Sequence, residues 1–258
     1  MDIENKYGCL STQVKLLELM KEFHAFAKKN DIKYSLAYGS LLGAIRHKGF
    51  IPWDDDLDIM VDRNNYNKII DKIAQDKNLL VERDSPQTIW VDRVRRIKDK
   101  EETKSGFIPT LDILVWDNVP ESSLARKIKL FRILALQGMM KNNLTLSKGS
   151  IVMKVCSFCT FWLGKLFPAK MKSKMYRKVS QIGDDKKTSY MANYNGEYAD
   201  LRRVYDSRIF DEIVDVPFED TSFSVVSDYH TCLTIQFGDY MTPPKMEDRN
   251  PRHGGSAD

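Results

Sequence analysis

The sequence predicts an α/β chain of the α+β kind: a mixed sheet with helices packed on it, interrupted by a basic helical insertion. Three observations predict it. Short apolar runs of strand length at 34–38, 57–61, 79–82, 88–98 and 110–115 are interleaved with helix-period segments at 12–29 and 64–75. The character then changes: residues 122–183 hold thirteen Lys or Arg and no Asp or Glu, so the formal net charge of +4 conceals an acidic remainder. Finally, 258 residues at 42% hydrophobic and 29% charged suffice for one large domain, or one domain with an insertion, and exclude a disordered chain. The expected division is a core over 1–120, the basic insertion over 121–184, a return to the core over 185–244 and a poorly ordered polar tail over 245–258.

The first helix is expected from a cap at Ser11 or Thr12 to Lys29, with Leu16, Leu19, Met20, Phe23, Phe26 and Ala27 at core spacing and His24 at its edge. The stretch that follows, 34–62, organises the rest: YSLAYGSLLGAIRHKGFIPWDDDLDIMVD. A strand at 34–38 is broken by Gly39 and Ser40, and 41–46 makes a helical turn or two. A basic hinge (His47, Lys48, Gly49), a Pro-Trp corner and three aspartates lead to a second strand at 57–61. Side chains alternate along a strand, so Asp56 and Asp58 share a face, about 7 Å apart along the backbone. Paired hard oxygen ligands suit Mg²⁺, or Mn²⁺, which would neutralise phosphate charge in phosphoryl transfer. Gly39 admits close backbone approach, and Ser40, opening a helix, offers hydroxyl and amide donors to a phosphate. Arg46 and Lys48 beside the hinge are candidate phosphate contacts. The alternative for 54–58 is a solvated acidic turn, against which stand the Gly-Ser pair and the apolar neighbours of Asp58.

A helix over 64–75 places Tyr66, Ile69, Ile70 and Ile73 on the core side. In the basic strand 88–98, Arg93 and Arg95 share one face, Arg96 and Lys98 the other; either pair could meet an anionic ligand. Asp112 lies among Leu111, Ile113 and Leu114, where a carboxylate is costly unless paired or metal-bound. Asp117 is expected in a turn. Beyond the insertion, 191–195 is a strand or loop near the site, 210–218 and 223–226 pair around Glu219-Asp220, and a helix over 229–237 ends at Gly238.

The run SLLGAIRHKGFIPWDDDLDI at 40–59 resembles the LicD family, phosphocholine-transferase relatives that include the fukutin-type sugar-phosphate transferases and share a nucleotidyltransferase-like core. The likeness continues at TLDIL (110–114) and FGDYMTPP (237–244), while the middle third matches only in general character. The resemblance implies a phosphotransferase moving phosphocholine, or a related phospho-alcohol, from CDP-choline or another CDP-alcohol to a hydroxyl of a glycan or lipid-linked oligosaccharide, with CMP leaving. It implies Asp56, Asp58 and Asp112 as ligands of Mg²⁺ (or Mn²⁺), Gly39 and Ser40 as phosphate contacts, and Asp112 or His47 as proton acceptor. It favours Arg96 and Lys98 over the other basic pair, with an extra residue before Thr103. Trp53, Tyr38 and Tyr194 are candidates for an aromatic cage over a quaternary ammonium. Related readings stay open: a ribitol- or glycerol-phosphate transferase, a nucleotidyltransferase, or a non-catalytic glycan-assembly protein.

The insertion holds a helix over about 122–141 and a second over 151–167. In the second, Lys154, Ser157, Thr160, Gly164 and Lys165 share one face, opposite Val152, Val155, Cys159, Trp162, Leu163 and Leu166. Its longest uncharged run, 155–164, is far short of the roughly 20 residues that span a bilayer. With Lys170, Lys172, Lys174, Arg177 and Lys178 following, it suits an anionic membrane surface or, alternatively, a soluble helical subdomain. A nucleic-acid partner is not expected, because the aromatics do not alternate with the basic residues. The four cysteines make no disulfide framework, and Cys156-x-x-Cys159 lacks a second pair for zinc. The first ten residues, MDIENKYGCL, show no signal-peptide pattern. The expected location is cytoplasmic, peripheral at the inner face of the membrane.

Overall fold

A computed structural model describes residues 7–83, 91–100, 108–144, 150–183, 188–195 and 200–251. In chain order the helices are α1 Leu10–Lys29, α2 Tyr38–His47, α3 Arg63–Ile73, α4 Ser123–Met140, α5 Ile151–Gly164, α6 Ala169–Ser180 and α7 Tyr229–Phe237. The strands are β1 Ser35–Leu36, β2 Asp58–Asp62, β3 Leu79–Glu82, β4 Asp92–Arg96, β5 Leu111–Asn118, β6 Tyr190–Asn193, β7 Tyr205–Asp206, β8 Ile213–Phe218 and β9 Thr221–Val226. Two compact units divide the chain: Met1–Glu82, Asp92–Val115 and Arg208–Asp258 form the first, Arg83–Val91 and Trp116–Ser207 the second.

In the first unit the strand order is β1-β2-β5-β4-β3. β1 pairs antiparallel with β2, β3 with β4, and β4 with β5. The sheet is mixed, so its parallel step falls between β2 and β5, where the Asp112 amide donates to Leu57 O at 2.9 Å. The slanted bonding of a parallel pair ties each residue to the neighbours of the one opposite. Asp112 therefore stands beside Asp58. α1 lays Leu16, Leu19, Met20, Phe23 and Ala27 into the core with Leu36, Ile59, Leu111, Ile113 and Phe223. α3 is capped by Asp62, whose side chain accepts from the Asn65 amide.

Several expectations are corrected. The strand expected over 34–38 is only Ser35–Leu36, because Tyr38 takes a left-handed φ of +42° and turns the chain straight into α2. α1 starts behind Cys9 rather than Ser11 or Thr12; Cys9 is buried and its carbonyl accepts from the Gln13 amide at 2.8 Å. Asp117 is not in a turn: it lies in β5, fully buried, opposite Ala192. The tail is ordered at its start, with a 3₁₀ turn over Met246–Asp248 and the Arg249 guanidinium over the Trp53 ring at 5.1 Å. Residues 252–258, residues 88–90 of the expected basic strand and Thr103 lie outside the described residues.

The second unit takes up β5 at Trp116 and pairs it antiparallel with β6, and β6 with β7. Ser122 caps α4 and Ser150 caps α5 through their hydroxyls. Val119, Ile133, Leu136, Tyr176, Val179 and Tyr194 form the core of the unit. Lys129 is buried there: its ammonium donates to Ile182 O at 2.8 Å and lies over the Tyr194 ring at 4.3 Å. α5 ends at Gly164, three residues before its expected end, and packs on α4 through small residues. A Cβ on Gly138 would lie 2.2 Å from Thr160 Oγ1, and one on Gly164 only 2.1 Å from Met139 O. No helix of the described residues is long and apolar enough to cross a membrane.

That contact yields a stability prediction. Gly164→Ala drives a methyl into backbone that cannot move aside, and is expected to cost about 1–3 kcal/mol, as overpacking does. Val152→Ala, on the exposed side of the same helix, should change stability by less than about 0.5 kcal/mol. Urea denaturation of both variants checks the difference.

Candidate active site

The site grows from the junction of α2 and β2. Ser40, in the first turn of α2 and buried, accepts a hydrogen bond on Oγ from the Asp58 amide at 2.9 Å, and the Ala37 amide donates to Asp58 O at 3.0 Å. Helix start and strand start are thus one structure. Gly39 leaves room for the Asp54 side chain: a Cβ there would lie 2.6 Å from Oδ2 and push the carboxylate aside. The acidic loop is held by Gln13, whose amide nitrogen donates to Ile51 O (3.1 Å) and Asp54 O (2.8 Å). An anionic loop against a helix N-terminus is electrostatically favourable. Asp55, which sequence reasoning passed over, is the buried member; Asp54, Asp56 and Asp58 are partly exposed. Cys9 is buried close to this loop, and its thiol is pushed up to about 11 by burial and by the charges of Asp55 and Asp54.

Asp56 precedes β2, so the strand alternation expected to relate it to Asp58 begins only at Asp58. Asp112, at the second position of β5, is side by side with Asp58 through the Leu57 bond. Its carboxylate receives Arg93 Nε at 2.6 Å and Nη2 at 3.4 Å, with both side chains about a quarter exposed. The sheet register explains the pair: Arg93 and Asp112 are directly opposed across β4 and β5. The basic pair favoured by resemblance faces the other way. Arg96 is buried, with Nε on Asp99 at 2.7 Å and Nη1 on Glu18 at 2.9 Å, and Lys98 is an exposed partner of Glu22 at 3.7 Å. These side chains meet α1, so Arg93 is the strand residue that joins the aspartates. Cross-strand register, invisible in one strand's sequence, was the missing signal.

The hard carboxylate donors of Asp56, Asp58 and Asp112 fit a divalent cation in type. Among the described residues, however, no three His, Cys, Asp or Glu side chains are grouped so as to hold one, and Arg93 occupies Asp112. Gathering the three requires Asp112 to turn from Arg93.

At the far end of α2, Lys48 is a left-handed C-cap with φ +58°. Glu219, at the tip of the β8–β9 hairpin, holds the hinge from both sides of Gly49: its amide donates to Lys48 O (2.8 Å) and its Oε1 accepts from the Phe50 amide (2.9 Å). Arg46 donates through Nη1 to Tyr240 O (2.8 Å) and through Nε to His47 Nε2 (3.0 Å). Tyr194 belongs to the second unit and is buried under Lys129, while Trp53 is contacted by Tyr7, His47 and Arg249. Partial burial, then the charges of Arg46 and Arg249, lower the His47 pKa. The imidazole is therefore neutral at pH 7, but the nitrogen that would take a proton already accepts from Arg46.

With this geometry in view, residues 31–108, most of which lie in the first unit, match the family described as LicD/FKTN/FKRP, nucleotidyltransferase domain. The chain is 30% identical over 264 residues, covering 93% of it and 94% of the relative, to the lipopolysaccharide cholinephosphotransferase LicD of Haemophilus influenzae. The chain belongs to the LicD family. Shorter likenesses join it to two uncharacterized proteins. RT0683 of Rickettsia typhi is 46% identical over 63 residues (23% of this chain, 20% of the relative), and RP689 of Rickettsia prowazekii 59% over 44 (17% and 16%).

Ser40→Ala removes the acceptor of the Asp58 amide and is expected to destabilise the protein by about 1–3 kcal/mol, the cost of a lost buried partner. Chemical denaturation measures it; a hydroxyl serving only a ligand would leave stability unchanged. A pH dependence follows from His47, and from His24, whose pKa burial and Lys28 also lower. With folded values below the unfolded one, the unfolded chain binds more protons on the acid side, so stability rises with pH there. Stability is full above about pH 7 and falls as pH drops through about 6.5 toward the folded values. Melting temperatures should decline over that window, with a shallower slope in His47→Asn.

Proposed function

We propose that the protein is a LicD-like phosphotransferase that moves phosphocholine from CDP-choline to a hydroxyl of lipopolysaccharide or a related cell-surface glycan precursor. The observation that carries this reading is the placement of Asp58 and Asp112 on neighbouring strands beside the Gly39-Ser40 helix start, in a chain related along its length to a cholinephosphotransferase. The acceptor oxygen attacks the choline-bearing phosphorus, the bond from that phosphorus to the bridging oxygen breaks, and CMP leaves with the electron pair. The first amides of α2 face the diphosphate, as helix N-termini do toward phosphates. Arg93 supplies a positive charge on the same face, and its guanidinium matches a phosphate's paired oxygens as it matches Asp112. Asp112, once released by Arg93, takes the acceptor proton; His47 is the weaker choice because Arg46 engages its acceptor nitrogen. Asp56, Asp58 and Asp112 would hold a Mg²⁺ or Mn²⁺ ion, whose chemistry when bound is to neutralise charge on the diphosphate. The free thiols Cys9, Cys156, Cys159 and Cys232 fit a reducing cytoplasm.

The test is a donor panel of CDP-choline, CDP-ribitol and CDP-glycerol with Mg²⁺, read by thermal shift and by product mass on a lipopolysaccharide acceptor. CDP-choline should raise the melting temperature and give a phosphocholine adduct, and Asp58→Asn should lower turnover at least about 10²-fold while remaining folded. A shift and product with CDP-ribitol or CDP-glycerol alone would replace the phosphocholine assignment and keep the transferase. Near-normal turnover in Asp58→Asn would remove the reaction from this site.

A further inference from the structure

We propose that the second unit docks on an anionic lipid bilayer through the outward face of α5, flanked by a lysine stripe on α6. A helix of an ordinary subdomain buries its apolar stripe and exposes its polar one. α5 does the reverse. Its inward side is Lys154, Ser157, Thr160, Phe161 and Gly164, with Thr160 and Gly164 against Gly138 and Met139 of α4. Its outward side leaves Ile151 (81%), Val152 (70%) and Trp162 (55%) exposed, and the turn that follows adds Leu166 (76%). The small inward residues allow close packing of helix on helix, and of the apolar side chains of α5 only Phe161 is buried. A contiguous apolar face of this kind on a folded protein marks a surface that meets something else.

Charge identifies what it meets. On α6, Lys170, Lys174 and Lys178 are exposed and follow one another at four-residue spacing, a single stripe along the helix. Lys172 is different: its ammonium turns inward and donates to Met139 O and Gly164 O, both at 3.0 Å, which leaves the stripe to the other three. α4 adds Leu124 (69%), Ile128 (53%) and Phe131 (66%), an exposed apolar row beside exposed Lys127 and Arg132. No Asp or Glu interrupts residues 122–183. A second copy of this face would oppose cation to cation, and a nucleic acid would find its phosphates beside an apolar surface without interleaved aromatics. Anionic headgroups over acyl chains satisfy both the lysines and the Trp-, Phe- and Leu-bearing face. The segment lies on the bilayer, since none of the described helices can cross it.

The experiment is co-sedimentation of the full chain with phosphatidylcholine vesicles, with and without phosphatidylglycerol. Pelleting is expected with the anionic vesicles at low salt. High salt should reduce it without abolishing it, because screening shortens charge attraction from about 8 Å at physiological ionic strength to about 3 Å at molar salt and leaves apolar insertion intact. The triple variant Lys170→Gln, Lys174→Gln, Lys178→Gln should lose the salt-sensitive part, and Trp162→Ser with Leu166→Ser the salt-resistant part. All five side chains are exposed, so both variants should keep the wild-type melting temperature. Wild type remaining in the supernatant with anionic vesicles at low salt would overturn the proposal. So would a dimer in analytical ultracentrifugation that Trp162→Ser dissociates, which would make the face a contact between copies.

Discussion

One buried hydroxyl governs the candidate site. Ser40 Oγ accepts from the Asp58 amide, which fastens the first turn of α2 to the first residue of β2. Everything nearby is fixed relative to that bond: Gly39 lies under the Asp54 carboxylate, Gln13 grips the loop that carries Asp54, and Leu57 O receives Asp112 from the adjoining strand. The Gly-Ser pair is thus a joint before it is a ligand site. Gly39 supplies room for a carboxylate and Ser40 an acceptor for a strand amide, so the helix start and the strand that carries Asp58 move as one piece. Such sharing of a first turn between support and recognition is how a site on regular elements acquires its precision.

The sheet then sorts charge by face. In β4, Arg93 turns to Asp112, whereas Arg96, three residues on, is buried with Asp99 and reaches the more exposed Glu18 and Glu22 of α1. The second cluster ties α1 to the sheet through ion pairs of Arg96 with Glu18 and Glu22. The first is more open, and a guanidinium already bound to a carboxylate at a solvent edge can exchange that partner for a phosphate at little penalty. Arg93 and Arg96 in one short strand are therefore partnered differently, because parity along the strand turns them to opposite faces.

Much of this was legible in the sequence. The hairpin around Glu219-Asp220, α7 with its stop at Gly238, β3 and α4 all sit where composition and turn chemistry put them, because each is fixed by neighbours within a few residues. The aspartate strand and Asp112 were also legible, since a carboxylate among apolar strand residues is conspicuous. What escaped depends on distant parts of the chain. The Arg93–Asp112 pair needs the β4–β5 register, and the burial of Asp117 needs β6 as partner. Tyr38 in a left-handed conformation cuts a strand short where an aromatic residue favours extending it. The orientation of α5 was read correctly as two faces, and only packing on Gly138 and Met139 says which one turns in.

The hinge at 48–50 is held by Glu219, nearly the whole domain away in sequence, and α2 is further tied to the segment that follows α7 through Arg46 and Tyr240 O. The aspartate loop is therefore clasped by the C-terminal quarter of the chain. A premature stop, or a protease cut just ahead of residue 208, would leave every carboxylate, the Gly-Ser joint and β1 through β5 in the remaining polypeptide, and yet would disarm the site by unlatching it. Lesions in the β8–β9 hairpin would then mimic lesions in the aspartate loop. During synthesis, too, the loop would stay open until the last strands had left the ribosome.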